Sequence, residues 1–228
     1  MRHCVLGSGA FVAVLSAVPA VDASVLSQWN FNTSLGGTVT QSSYSYAGEA
    51  GPYSGSFLVH TGFSGTDFTT PAGNGSAYGL SADKWSTGDY AEVTVNALPS
   101  YLNSFELSWD QTRSTFGPSE FRVDVSFNGG ASFTTLANSD YSAILAGGIG
   151  TGTNAWSATG ARQSQFTRSI SFSGTASSGV LKVRLVATGA NLGNGSARFD
   201  NVVLSGVPAP GAVALLGLAG LAGRRRNR

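Results

Sequence analysis

Cysteine is all but missing from this chain. Its 228 residues include one, Cys4, so no disulfide can form within a single copy. Histidine is nearly as scarce: only His3 and His60 occur, too few for the His and Cys sets that hold zinc. No Gly-x-Ser-x-Gly turn is present, and a lone internal histidine leaves serine-nucleophile chemistry without its parts. Charged residues make up 11% of the chain. No internal stretch has the 3.6-residue period of a long amphipathic helix, and no apolar run reaches the roughly 20 residues that span a bilayer.

The two ends carry what hydrophobic length there is. At the start, Arg2 and His3 precede a mostly apolar run from Val5 to Val18, and Val21-Asp22-Ala23 supplies small or modest residues for a cleavage site. This layout predicts a secretory signal peptide over 1–23, forming a helix and removed by signal peptidase after Ala23. The cleaved chain then holds no cysteine at all. At the other end, Ala212 to Gly223 is uncharged and is followed by Arg224, Arg225, Arg226 and Arg228. Even counted from Val207 it makes a helix only about 25 Å long, short for a stable anchor. The arginines favour the cytoplasmic side. The plain alternative is a C-terminal core helix with a basic finish.

The order Val207-Pro208-Ala209-Pro210, apolar helix, arginine cluster resembles the PEP-CTERM sorting domain of Gram-negative bacteria. The family's usual glutamate is replaced by Ala209. The resemblance implies that residues 207–228 are a sorting signal read by the membrane protease exosortase. It further implies transient inner-membrane anchoring through the C-terminal helix and delivery to the cell surface, outer membrane or extracellular matrix.

Between the ends lies a stretch, 24–206, long enough for one domain with a sizeable core. It holds eight Lys and Arg against eleven Asp and Glu, a net −3 that argues against a nucleic-acid partner. Period-2 alternation marks strands around Val25 to Phe31, Phe57 to His60, Ala91 to Asn96, Phe105 to Asp110, Glu120 to Phe127, Phe166 to Phe172, Val180 to Val186 and Ala197 to Leu204. Asn128-Gly129-Gly130 predicts a hairpin turn into Ser132 to Leu136. Nine or ten strands with glycine-rich turns predict an all-β, antiparallel two-sheet β-sandwich. The segments Arg122 to Leu136, Leu181 to Val186 and Ala197 to Leu204 resemble carbohydrate-binding-module-like jelly rolls, which implies that fold and a polysaccharide partner.

Four sets of residues are candidates for chemistry. The jelly-roll resemblance implies a structural Ca²⁺ near Asp200, with Asn201 and backbone carbonyls as further oxygen ligands. The imperfect alternation around Asp200 predicts a bulge, and a surface Asp paired with Arg198 is the alternative. Glu106, Asp110, Glu120 and Asp124 would face one another if their strands formed a hairpin, giving the paired carboxylates of a glycosidase; a shifted register would pair them with Arg122 instead. Trp85 and Trp156 lie in loop-like stretches, where an exposed indole stacks on sugar; folding over the sandwich edge is the competing expectation, while Trp29 and Trp109 belong to the core. Asn32, Asn74 and Asn194 each begin an Asn-x-Ser/Thr sequon. The reading favoured is an exported, non-catalytic sandwich of the cell surface or polysaccharide matrix. The alternative is a carbohydrate-active enzyme using the surface carboxylates. Ice binding would need a regular threonine array that the scattered threonines do not supply.

Overall fold

The computed structural model describes residues 23–145, 156–190 and 195–208. The expected signal and C-terminal helices, with Ala209, Pro210, Arg224, Arg225 and Arg226, lie outside them. Among the described residues no helix is long and apolar enough to cross a membrane. Among the described residues fifteen strands run in the order β1 (Ser24–Trp29), β2 (Val39–Thr40), β3 (Ser43–Ala47), β4 (Gly55–His60), β5 (Asp67–Thr69), β6 (Leu80–Ala82), β7 (Tyr90–Val95) and β8 (Leu102–Arg113). They continue with β9 (Glu120–Ser126), β10 (Thr134–Thr135), β11 (Tyr141–Ser142), β12 (Ile144–Leu145), β13 (Thr167–Ser173), β14 (Leu181–Ala187) and β15 (Ala197–Pro208).

Two sheets share these strands. The eight-stranded sheet is ordered β12-β8-β15-β6-β5-β2, with β1 added beside β15 and β13 beside β8. The seven-stranded sheet is ordered β10-β9-β14-β7-β4-β3, with β11 added beside β9. The alternating residues that mark each strand in the sequence bury one set of side chains between the sheets. Phe199 of β15 meets Phe57 of β4 at 5.5 Å between ring centroids. Trp85 meets both Phe121 and Phe199 at about 6 Å. Rings of this size, fully buried, each stabilise the fold by roughly 2–3 kcal/mol.

Three local features set where the polar side chains of the two sheets lie. The turn at Asn128-Gly129-Gly130 forms as expected: both glycines have positive φ, and the Asn128 side chain binds Ser126 and Ser132. The expected bulge in β15 is also present, its register with β8 shifting between Asp200 and Val203 while Asn201 takes φ +47°. Thirdly, β15 does not stop at 206. Val207 pairs with Ser104 and Pro208 with Leu102, so the first half of the Val-Pro-Ala-Pro motif is the end of a sheet strand.

The hairpin between Phe105–Asp110 and Glu120–Phe127, on which the facing of their carboxylates depended, does not form. β8 belongs to the eight-stranded sheet and β9 to the seven-stranded one, so the chain crosses the sandwich between them. Strand alternation alone carries no information on which sheet a strand joins.

Candidate functional site

That crossing disperses the four carboxylates. Glu106 points outward between Ser171 and Ser205. Asp110 is buried. Glu120 accepts a hydrogen bond from Ser142 Oγ, and Asp124 pairs with Arg122 at 3.0 Å. The shifted register that would set Arg122 opposite Glu106 or Asp110 is not realised either; Arg122 instead pairs with Asp124 of its own strand. The glycosidase-like arrangement of these four is therefore not realised.

The tryptophan expectation is corrected as well. Trp85 is 1% exposed and Trp156 6% exposed, so neither offers a ring face to a sugar. Trp85 Nε1 donates to the Ala82 carbonyl at 2.8 Å, which turns the indole into the core. Trp156 packs edge-on against Phe166 at 5.8 Å. Both are loop aromatics folded over the sandwich, and Trp29 and Trp109 are core residues as expected.

Asp200 lies at the centre of a closed polar network. It sits directly opposite Asp110 across the β8–β15 ladder, and both are 0% exposed. Asp200 accepts from the Asn74 and Asn201 backbone amides at 2.6 and 2.7 Å and from Ser76 Oγ at 2.6 Å. Asp110 receives Arg162 through Nε and Nη2 at 2.8 and 2.7 Å, Thr167 Oγ1 at 2.6 Å, and the side-chain amides of Asn74 and Asn201 at 2.9 and 2.8 Å. Burial pushes the Asp200 carboxyl up to about 6, with Asp110 beside it acting in the same direction against the hydrogen bonds from Ser76, Asn74 and Asn201. Burial also pushes Asp110 up, but its hydrogen bonds and the Arg162 charge outweigh this and hold it below the ordinary carboxylate range.

This environment does not fit the calcium that the jelly-roll resemblance implies. Ca²⁺ takes six to eight oxygen ligands. Here N–H and O–H donors point at the carboxylates, and a guanidinium grips one of them in a fork. Among the described residues no group of three or more His, Cys, Asp or Glu could hold a metal ion. Two carboxyls with protonation driven apart can mark an acid–base pair, but these are sealed from any substrate. Asn74, the start of a sequon, is itself buried in this network. A methyl group at Gly73 would lie 2.5 Å from Asp200 Oδ2, so the loop can approach this closely only with glycine.

A different surface gathers accessible chemistry. On the outer face of the seven-stranded sheet, Thr135, Asp124, Arg184, Glu92, Leu58 and Ser45 form one row across β10, β9, β14, β7, β4 and β3. The neighbouring rows bring Lys182 beside Thr94, and Tyr90 beside His60 and Val186. The charges in the main row alternate in sign, which favours cross-strand pairing. Glu92 accepts from Lys182 Nζ and Arg184 Nε, each at 2.7 Å. Glu92 is only 2% exposed; burial raises its carboxyl, but these two partners more than offset that and leave it below the ordinary range. The Arg184 guanidinium lies between two rings, 4.0 Å from the Tyr90 centroid and 3.8 Å from that of Phe133. Phe133 reaches this place because the glycine turn folds β10 back along β9.

Of this face, the sequence singles out only Glu120, Arg122 and Asp124, all on β9. The signal is present in Arg122-Val-Asp124-Val-Ser126, Tyr90-Ala-Glu92-Val-Thr94 and Lys182-Val-Arg184-Leu-Val186. Each reads alone as the solvated side of a strand. Only the order β9-β14-β7 joins them.

Neither family models nor curated protein sequences match the chain. Several solved structures are similar in outline. One is a carbohydrate-binding module studied for mannan recognition, at 15% identity and TM-score 0.44, covering 82% of this chain and 99% of that one. Another is an endo-1,4-β-D-xylanase of Clostridium thermocellum, a binding module and catalytic module complexed with xylohexaose, at 12% identity and TM-score 0.45; 82% of this chain spans 29% of it. A Stig cyclase from Fischerella, bound to a pyrrolidinylidene-indole, aligns at 15% identity and TM-score 0.39, covering 82% of this chain and 100% of that one. Similarities this distant leave the functional reading to the side chains.

Proposed function

We propose that this chain is an exported, non-catalytic β-sandwich protein that holds polysaccharide on the outer face of its seven-stranded sheet. The observation that carries the reading is the Tyr90–Arg184–Phe133 stack set in a row of alternating charges. Sugar rings are recognised by flat apolar surfaces combined with fixed hydrogen-bonding groups, and this face offers both on rigid strands. Export and exosortase-dependent sorting to a surface or matrix are proposed from the two chain ends alone, with signal peptidase and exosortase as processing partners.

Affinity gel electrophoresis of the full chain against a panel of soluble polysaccharides tests the binding. Retardation by at least one polymer is expected, and Tyr90→Ala should weaken it about tenfold. A chain retarded by none, or a folded Tyr90→Ala variant retarded as strongly as the parent, overturns the proposal. For sorting, replacing Arg224, Arg225, Arg226 and Arg228 by Ser should block tail removal. Unchanged processing would count against the tail as a signal.

A further inference from the structure

Resting on that reading, we infer that the polysaccharide is an acidic one, carrying carboxylates of the uronate type. Unused hydrogen-bonding capacity on the face points this way. The two carboxylates of its main row are engaged. Glu92 Oε1 takes Lys182 and Thr94, and Oε2 takes Arg184. Asp124 Oδ1 takes Arg122 Nε and Thr135 Oγ1, and Oδ2 takes Arg122 Nη2.

Its donors are in surplus. Arg184 uses Nε alone, and among the described residues no hydrogen bond engages its Nη1 or Nη2. Lys182 Nζ gives one bond of the three it can make. Both side chains remain about a quarter exposed, at 27% and 25%, whereas the Glu92 side chain between them is 3% exposed. A ligand approaching the Arg184–Lys182 centre of this face therefore meets cationic N–H groups rather than carboxylate oxygens; the exposed Glu120 lies four residues along β9 from Asp124.

The geometry narrows the ligand further. The Arg184 guanidinium is clamped between the Tyr90 and Phe133 rings, and its Nε bond to Glu92 fixes its rotation. A clamped guanidinium presents its Nη edge in one plane, which matches the planar, two-oxygen edge of a carboxylate. The domain as a whole has excess acid, so the attraction is short-range and local to this row.

The test compares polygalacturonate with neutral xylan and glucomannan in affinity gels of the full chain, at two salt concentrations. Polygalacturonate should retard the chain more strongly than either neutral polymer, and less so at high salt. Arg184→Lys keeps a partner for Glu92 but loses the fork and the stack; it should weaken retardation by polygalacturonate about tenfold while leaving the melting temperature nearly unchanged. If that variant fails to fold, Lys182→Gln serves, with a smaller loss of the same sign. Retardation by neutral polymers alone overturns the uronate inference and leaves the polysaccharide reading standing. Retardation by none overturns both. Undiminished polygalacturonate binding in the folded variant overturns the role given to Arg184.

Discussion

The Glu92 network of the seven-stranded sheet and the Asp110–Asp200 network of the eight-stranded sheet use the same residue types to opposite ends. Each buries carboxylate against a basic side chain. Around Asp110 and Asp200, Thr167 and Asn201 of the adjoining strands are joined by donors from loops laid over the sheet, Asn74, Ser76 and Arg162, and the carboxylates are sealed. Around Glu92 the basic partners come from the neighbouring strand itself; they bury the acid but stay about a quarter exposed themselves, and donor groups are left over. A satisfied, covered network ties loops to a sheet. A satisfied network with surplus donors on an open sheet can also meet a ligand. Burial of the acid does not distinguish the two; the fate of the base does.

The largest effect expected from this contrast is on stability. Arg162→Ala leaves Asp110 at 0% exposure without its cation; Arg162 itself is half exposed and Thr167, Asn74 and Asn201 still bind Asp110, so the cost should be about 1–3 kcal/mol. Equilibrium denaturation of the variant should show that loss, with polysaccharide retardation unchanged once the protein is folded. A cost below about 1 kcal/mol would remove the closed network from its role in holding the loops.

Acid titration should separate the networks next. Asp200 is raised to about 6, so the folded state holds its proton more tightly than the unfolded chain. Its contribution is fully present below the ordinary carboxylate range and is lost as pH rises through about 6. Glu92 and Asp110 are lowered, so their contributions are present above the ordinary range and are lost as pH falls through their lowered values. Stability should therefore peak in mild acid. Asp200→Asn should flatten the decline between pH 5 and 7, and Glu92→Gln should soften the decline at the acid end, both read from unfolding midpoints against pH. A parent profile level from pH 5 to 7 would break the assignment to Asp200.

These two networks also show what the sequence made legible. Alternation located the long strands, and the Asn128-Gly129-Gly130 turn and the β15 bulge were readable because each needs particular backbone geometry. The sheet to which a strand belongs was not readable, because β8 and β9 have the same pattern yet lie in opposite sheets. That one ambiguity left open the hairpin that would have brought Glu106, Asp110, Glu120 and Asp124 together. It also hid the row through Asp124, Arg184 and Glu92, whose members lie up to 92 residues apart in sequence. The loop tryptophans left two readings open for a related reason: a loop position says nothing about whether the loop folds over the core, as those of Trp85 and Trp156 do.

A smaller stability effect, paired with a large binding effect, is expected at Phe133. Removing it by Phe133→Ala takes away one side of the Arg184 clamp but no buried charge partner. An exposed cation–π contact is worth about 0.5–1 kcal/mol, so the melting temperature should barely move. Polysaccharide retardation should fall severalfold, because the Arg184 plane is then free to turn. Equal losses of stability and binding would mean that the stack is structural, and would erase the difference drawn between the two sheets.

The smallest expected effect is that of calcium. If donors, not a metal, neutralise Asp110 and Asp200, then neither calcium nor a chelator has a state to favour, since a ligand stabilises only in proportion to its binding to the folded form. Thermal melting of the full chain in EDTA and in millimolar calcium should agree within about 1 °C. Arg162→Gln sharpens the comparison: it frees a fork of Asp110 oxygen beside the Asp200 carboxylate and the Asn74 backbone carbonyl, a more oxygen-rich setting than the parent offers. Calcium that raises the melting temperature of this variant but not of the parent would identify the Arg162 guanidinium as the group that keeps the site closed to cations. A rise in the parent itself would mean that Arg162 and the Asn74 loop move aside for the ion, and that the network is not closed.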